Sequence, residues 1–128
     1  MTSTIEIATR AFTAFTQGWA NGDFQVFLEM LTDEFTFSYP YGKYRGKFSG
    51  VEGKAQIVAK CLEHSTSGDR LSFNPPHNIT SNDRTVMFEF ECEGIIEGEN
   101  YRGRIAISLD INNDKICGFR EYFGDVDW

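Results

Sequence analysis

The chain has 128 residues, 41% of them hydrophobic and 15% aromatic, which suffices for one compact domain over residues 1–128 and is too short for two ordinary ones. Its formal net charge of −7 argues against nucleic-acid binding, which depends on clustered Lys and Arg, and no apolar run approaches the roughly 18 residues of a membrane span. The three cysteines, Cys61, Cys92 and Cys117, are widely spaced and no secretory segment precedes them, so we expect reduced thiols and a cytoplasmic location.

An amphipathic helix is the first predicted element. Ser3 and Glu6 form an S-x-x-E capping box at its start, and Asn21-Gly22 supplies a left-handed stop. Between them one apolar stripe recurs at 3-4-3-4 spacing, formed by Ile5, Ala8, Phe12, Phe15 and Trp19. Such a stripe is typical of core packing, and Trp19 has a second available role because its indole N–H needs an acceptor.

A shorter second helix and a first strand follow. Asp23 can cap a helix whose apolar side carries Phe24, Phe27, Leu28 and Leu31. From Phe35 to Tyr39 the pattern changes to period two, and Pro40 ends it. The sequence therefore predicts two helices before a short strand.

The segment 40–53 combines several glycines with the rings of Tyr41, Tyr44 and Phe48. It is compatible with a rim or lid over an opening and equally with an ordinary surface loop, and its glycines lack the spacing of a phosphate-binding loop. A third helix is predicted from Lys54 to Ser65, where an apolar set recurs at helical spacing: Ile57, Val58, Cys61 and Leu62.

The second half of the chain reads as antiparallel strands. Leu71 and Phe73 begin an extended segment that Pro75-Pro76 makes irregular or an edge. Two long strands follow, over about 85–97 and 101–111, and their inward faces carry Val86, Phe88, Phe90, Cys92 and Ile96, then Ile105, Ile107, Leu109 and Ile111. These faces require an even-length turn such as Gly98-Glu99, which sets Glu93 and its neighbours near Arg102 and Arg104 on the outer face.

The last strand, Ile116 to Gly124, carries the main candidate for chemistry. Alternation places Cys117, Phe119, Glu121 and Phe123 on one face, so an inward face would leave a carboxyl group between two phenylalanines. Burial of an unpaired charge costs several kcal/mol, which favours a functional role. The structural alternatives are a frayed strand end in water or the anchor of a buried hydrogen-bond network.

The pairing of this strand determines the neighbours of Glu121. A three-residue turn at 112–114 would place Glu121 opposite Ile105. No charged side chain is then adjacent on the inner face, so a partner must come from the helices or from the first strand. The available donors are Trp19, Ser38, Tyr39 and Tyr41.

The order of elements, with three local motifs, resembles the SnoaL-like branch of the NTF2-like superfamily, which contains ketosteroid isomerases, polyketide cyclases and limonene-epoxide hydrolases. The motifs are 19–23 (WANGD), 35–40 followed by Gly42 and Gly46, and 115–124, which is similar to the family ending I-x-x-[WF]-R-[DE]-Y-[FW]-D. The resemblance implies an α+β fold, an NTF2-like cone in which three N-terminal helices pack on a strongly curved, mostly antiparallel sheet.

The resemblance also implies a cavity for a small apolar molecule and a homodimer formed through the sheet. Glu121 stands where the epoxide-hydrolase pattern has a catalytic aspartate, so a proton-transfer role carries over to it. The residues expected to line the cavity are Phe15, Trp19, Ser38, Tyr39, Tyr41, Phe88, Phe90, Cys92, Ile107 and Phe119. The register of the first strand stays open between Ser38 and Tyr39 facing inward.

Other parts of the family's catalytic apparatus are absent. Phe90 and Cys92 replace the hydrolase's Arg and second Asp, and its Tyr/Asn pair falls near Thr36 and Ser38, so epoxide hydrolysis by that route is not expected. Tyr39-Pro40 replaces the isomerase's Asp-Pro base, and its buried second acid falls on Ala106 or Ile107. Tyrosine is a poor base at neutral pH but can donate a hydrogen bond to an oxyanion.

Two functions remain on this reading. The first is a small-ligand pocket protein that can act as an acid/base enzyme of the isomerase, cyclase or dehydratase type through Glu121. The alternative is a non-catalytic binding or dimerisation module. No cofactor is expected, and no metal site either, because His64 and His77 are distant and no H-x-x-x-H or Cys-x-x-Cys spacing occurs.

Overall fold

The computed structural model describes residues 3–40, 46–48 and 50–125. Its three helices are α1 (Thr4–Asn21), α2 (Gln25–Glu29) and α3 (Gly50–Ser67). The capping of α1 is as predicted: the backbone N–H of Glu6 donates to Ser3 Oγ at 3.1 Å, and Gly22 ends the helix with φ 84°. None of the described helices is both long and apolar enough to cross a membrane.

The strands are β1 (Leu31–Tyr39), β2 (Gly46–Phe48), β3 (Arg70–Phe73), β4 (Asn78–Ser81), β5 (Thr85–Ile96), β6 (Glu99–Asn112) and β7 (Lys115–Asp125). They form one seven-stranded sheet in the order β2-β1-β7-β6-β5-β3, and β4 also pairs with β5. The fold is therefore α+β, as expected. Two of the expected details need correction.

The first correction concerns the helices, since only α1 and α2 precede the first strand and α3 follows β1 and β2. The second concerns strand direction: the sheet is mostly antiparallel, as expected, but β1 and β7 run parallel while every other described pair is antiparallel. The sheet is mixed because β1, near the start of the chain, lies beside β7, its last strand. A parallel neighbour needs a long crossover, and here α3 and the five strands β2 to β6 supply it.

Several element boundaries also differ from the sequence prediction. Leu31 starts β1 rather than extending α2, and α3 begins at Gly50 rather than Lys54. Within segment 40–53, β2 pairs antiparallel with β1, so Gly46–Phe48 belongs to the sheet edge. Residues 41–45 and 49 lie outside the described part, and the choice between a lid and an ordinary loop stays open there.

The β5–β6 hairpin has an even-length turn, as predicted, but the turn lies one residue earlier. Ile96 pairs with Glu99 across Glu97-Gly98, and both turn residues have positive φ. This register places Glu93 opposite Arg102 and Glu91 opposite Arg104 on the outer face, as predicted. Arg104 Nε lies 3.2 Å from Glu91 Oε1.

The predicted three-residue β6–β7 turn is wrong. Asn112 pairs with Lys115, so the turn has two residues, and the register shifts between Asp110 and Ile111. The shift arises because β7 carries one extra residue, Cys117, between the positions paired with Ile111 and Asp110. The extra residue keeps the apolar side chains of β6 and β7 on one face, as a three-residue turn would have done. It also places Glu121 opposite Ile107 instead of Ile105.

The core lies between α1, α2 and the inner face of the sheet. Phe12 of α1 stacks on Phe88 of β5 with ring centroids 4.3 Å apart. Phe15 of α1 packs against Phe27 of α2 and Phe119 of β7 at 5.1 and 5.3 Å. The aromatic side chains therefore fill most of the space under the sheet, and the remaining opening lies toward α3.

Candidate functional site

A small cavity opens between α3, α1, α2 and strands β1 and β7. The cavity volume is about 20 Å³, and the open space including its mouth is about 300 Å³. Of the described residues, eleven line it: Phe15, Trp19, Phe24, Phe37, Tyr39, Ile57, Lys60, Cys61, His64, Phe119 and Glu121. The lining is mainly aromatic, and its ionisable carboxyl, amino and imidazole groups belong to Glu121, Lys60 and His64.

Glu121 reaches the cavity because side chains alternate along β7. Phe119 and Glu121 point to the same face, while Arg120 between them pairs with Ser38 and Ser108 on the outer face. Glu121 is intermediate in exposure, since it is reached through the cavity it lines, but the surrounding rings remove most water from the carboxyl. This burial raises the pKa of Glu121 from its ordinary 4.5 to about 7, and the charge of Lys60 partly offsets the rise.

Helix α3 contributes a wall that the sequence analysis missed. Ile57, Lys60, Cys61 and His64 follow one another at helical spacing on the cavity side. The predicted apolar face had included Val58 and Leu62, but these are 39% and 63% exposed. A face chosen by its number of apolar residues was wrong here, because the side of α3 that faces the cavity includes two polar side chains, Lys60 and His64.

Lys60 and Cys61 differ in what they bring to the cavity. The Nζ of Lys60 lies 5.3 Å from the centroid of the Tyr39 ring, so its charge is near the aromatic wall as well as Glu121. Burial raises the pKa of the Cys61 thiol to about 12, so this side chain is a neutral apolar group at physiological pH.

Five of the residues predicted for the site line the cavity: Phe15, Trp19, Tyr39, Phe119 and Glu121. Four others do not line it and are buried elsewhere in the core: Phe88, Phe90, Cys92 and Ile107. They belong to the correct face of the sheet, but α1 covers that part of it. Phe12, for example, packs on both Phe88 and Phe90.

The open register of the first strand is decided by geometry. Phe37 and Tyr39 line the cavity, so Ser38 projects to the outer face, where it pairs with Arg120. Ser38 is therefore not part of the cavity, although it is buried. Tyr41 lies outside the described residues. The cavity residues that the sequence analysis did not name as site residues are Phe24, Phe37, Ile57, Lys60, Cys61 and His64.

Among the described residues, no group of three or more His, Cys, Asp or Glu side chains is arranged to hold a metal ion. A carboxyl group with a pKa of about 7 can exist in both protonation states near neutral pH. Such a group can give or take a proton from a molecule held against the rings.

The comparison with known proteins agrees with this architecture. A family model described as a SnoaL-like domain matches residues 12–119. The chain is 41% identical to an NTF2-like protein from Anabaena variabilis ATCC 29413, with a TM-score of 0.85 over 97% of this chain and 90% of the other. No protein of curated function matches the sequence.

Two more distant structures share the fold. A proposed isomerase from Bacillus subtilis is 22% identical, with a TM-score of 0.79 over 95% of this chain and 89% of the other. An LEH-like epoxide hydrolase from M. tuberculosis is 19% identical, with a TM-score of 0.69 over 92% and 83%. The chain thus belongs to the SnoaL-like family of the NTF2-like superfamily, as its motifs indicated.

Proposed function

We propose that this protein binds a small, largely apolar molecule in the cavity under α3 and exchanges a proton with it through Glu121. The observation that carries the proposal is an ionisable carboxyl group, with a pKa of about 7, in a cavity otherwise walled mainly by aromatic rings. Functional acids and bases are commonly tuned in this way by burial.

The surroundings of Glu121 suit either direction of proton transfer. The rings favour the neutral acid because they exclude water, whereas Lys60 favours the carboxylate that remains after the proton leaves. The Tyr39 hydroxyl and the Trp19 indole N–H belong to side chains that line the same cavity and can orient a polar group of the ligand. An isomerase, cyclase or dehydratase reaction requires such a proton transfer.

The structural relatives support this proposal through the type of reaction that their names give. One relative is a proposed isomerase, and isomerisation can proceed by moving a proton. Another is an LEH-like epoxide hydrolase. The hydrolase route is not proposed for this chain, because Phe90 and Cys92 replace the required Arg and Asp and are buried in the core outside the cavity.

Proton transfer can be tested without the natural substrate. Cyclopentanone in D₂O exchanges its α-hydrogens for deuterium when a base removes them, and ¹H NMR follows the loss of signal. We expect the wild-type protein to accelerate exchange near neutral pD and Glu121→Gln to lose most of that acceleration, by about a hundredfold. Glu93→Gln, an exposed change on the outer face, is the matched control. Equal rates for wild type and Glu121→Gln would reject the acid/base role.

The second candidate function is non-catalytic binding. It is favoured because the described lining of the cavity is mainly apolar and contains a single carboxyl group, that of Glu121. Native mass spectrometry of the purified protein distinguishes this candidate when it is combined with the exchange assay. A bound small molecule together with no catalysed exchange would support binding alone.

We also propose that the protein forms a homodimer through the outer face of the sheet and that it is cytoplasmic. Met87 and Tyr122 are apolar contacts available among the charges of that face, and Arg104 already neutralises Glu91 within the acidic row of β5. Sedimentation at micromolar concentration is expected to give twice the chain mass of 14.6 kDa, and a monomer alone would reject the dimer. The cytoplasmic assignment agrees with three free thiols.

A further inference from the structure

A second acid/base side chain, His64, lines the same cavity as Glu121. It lies near the end of α3, and its ring packs against the Trp19 ring with centroids 4.1 Å apart and an interplanar angle of 42°. Its side chain is 25% exposed, so the imidazole is partly covered and yet reachable. The other histidine, His77, has a 63% exposed side chain and lies outside the cavity.

Asp69, in the turn after α3, holds the ring of His64 in place. Asp69 Oδ2 lies 3.2 Å from His64 Nδ1, and Asp69 Oδ1 accepts the backbone N–H of Glu97 at 3.0 Å. Asp69 lies close to the surface, but its neighbours leave it only 7% exposed. Both oxygens of the carboxylate therefore have a partner, and the group cannot rotate away without losing one of them.

The charge state of Asp69 determines the tautomer of His64. The N–H of Glu97, followed by the hydrogen bond with His64, lowers the pKa of Asp69 against the opposing effect of burial. An ionised carboxylate only accepts hydrogen bonds, so Nδ1 must carry the hydrogen in this pair. In the neutral ring Nε2 then has a lone pair, and no hydrogen bond to Nε2 is found among the residues whose side chains the structure describes.

We propose that His64 is the second proton-transfer group of the cavity, working with Glu121, and that Asp69 is the residue that positions it. This inference rests on the proposed function. For a small carbonyl compound, Nε2 of His64 takes the proton from the carbon next to the carbonyl. The electrons of that C–H bond form the C=C bond of the enol, and the carbonyl oxygen takes the proton of the neutral Glu121 carboxyl. The reverse steps restore the ketone.

The charges produced by this step are matched by the neighbours of each group. The imidazolium of His64 forms beside the Asp69 carboxylate, as in Asp–His pairs of hydrolases. The carboxylate of Glu121 forms near Lys60, whose charge favours the ionised form. Each group thus gains a charge next to an opposite one, which lowers the cost of separating charge in an apolar cavity.

The experiment compares four proteins in the cyclopentanone exchange assay: wild type, His64→Phe, Asp69→Asn and His77→Gln. Phenylalanine keeps a ring against Trp19 but has no nitrogen. We expect His64→Phe to lose exchange at least about tenfold, Asp69→Asn to lose part of it, and His77→Gln to keep the wild-type rate. Circular dichroism and the ¹³C signal of the Glu121 carboxyl check that each variant is folded with an intact cavity.

A second measurement reads the His64 tautomer directly, from imidazole ¹⁵N shifts above neutral pH. Wild type should show hydrogen on Nδ1. In Asp69→Asn the amide oxygen can keep the Glu97 N–H bond and turn its NH₂ toward His64, so the hydrogen should move to Nε2. A wild-type rate in His64→Phe, or hydrogen on Nε2 in wild type, overturns the inference and leaves Glu121 as the sole group. Failure of the proposed function would give a different result: Glu121→Gln would then exchange deuterium at the wild-type rate.

Discussion

Glu121 of β7 and Lys60 of α3 line the same cavity, and the positive charge of Lys60 lowers the pKa of Glu121 against the larger, opposite effect of burial. The two residues are 61 positions apart in the sequence and belong to different layers of the fold. Because burial and Lys60 act in opposite directions, the pKa of the Glu121 carboxyl is about 7, above that of an ordinary surface carboxylate. Stability and titration can therefore both report on it.

The unfolding free energy should depend on pH through Glu121. Between its ordinary pKa of 4.5 and its folded value of about 7, the folded protein holds a proton that the unfolded chain has lost, so stability falls as pH rises through this window. The shift corresponds to at most about 3 kcal/mol. Glu121→Gln should gain up to that amount over wild type in urea unfolding at pH 8.5 and little at pH 4.5. A Glu121→Gln protein that is less stable than wild type at pH 8.5 would contradict this expectation.

Removal of the charge of Lys60 should raise the pKa of Glu121 further. In Lys60→Met only the opposing burial remains, so the carboxyl should titrate above 7. The matched control is Lys54→Met on the same helix, because Lys54 Nζ pairs with the exposed Asp33 at 3.2 Å and does not line the cavity. Carboxyl ¹³C shifts measure both titrations, and an equal pKa in the two variants would exclude the coupling.

The Asp110–Arg120 pair on the outer face should stabilise the β6–β7 hairpin. Arg120 Nη1 and Nη2 donate to the two oxygens of Asp110 at 2.5 and 3.0 Å, and Thr85 Oγ1 donates to Oδ1 at 2.7 Å. Asp110→Asn should cost about 1–3 kcal/mol at pH 7, since it leaves partly covered donors with a weaker acceptor. Asp114→Asn, in the exposed β6–β7 turn, is the control.

The cost of Asp110→Asn should also depend on pH. Burial alone would raise the pKa of Asp110, but the hydrogen bonds from Arg120 and Thr85 and the charge of Arg120 hold it below its ordinary 3.8. A lowered pKa contributes stability above 3.8 that is lost as pH falls through the folded value. The difference between wild type and Asp110→Asn should therefore shrink in acid, and a difference that grows toward low pH would rule out the ion pair as its source.

Native thiols should resist alkylation. Burial raises the pKa of Cys61 and of Cys92 to about 12, so at pH 8 almost none of either thiol is in the reactive thiolate form. Iodoacetamide should modify all three cysteines in urea, and in the native protein it should modify Cys117, which is less buried, before the other two. Mass mapping of the labelled peptides measures the order, and early labelling of Cys61 would show that the cavity wall opens.

Local patterns predicted the elements well. The capping box at Ser3, the Gly22 stop and the period-two strands β5 and β6 are all found in the structure, because each depends on residues close in sequence. Alternation also predicted that Phe119 and Glu121 share one face of β7, because alternation is a local property. The boundary error at Leu31 occurs where a tertiary pairing extends the strand, because Leu31 pairs with Ile116 of β7.

The wall of the cavity that α3 forms opposite Glu121 could not be predicted in the same way. On α3 a count of apolar residues selected Val58 and Leu62, whereas the cavity takes Lys60 and His64. These two polar residues share the cavity with the carboxyl group of Glu121 and the Trp19 ring. Neither neighbour is visible from the local sequence of the helix.

The sequence by itself determined the family, the α+β composition of the fold and the shared face of Phe119 and Glu121 on β7. Tertiary structure decided the parallel pairing of β1 with β7, the bulge at Cys117 that places Glu121 opposite Ile107, and the closure of the cavity by α3. The physical reason is the distance along the chain over which each effect acts. Periodicity and capping act over a few residues, whereas strand register and the pKa of a buried acid depend on groups brought together from distant parts of the chain.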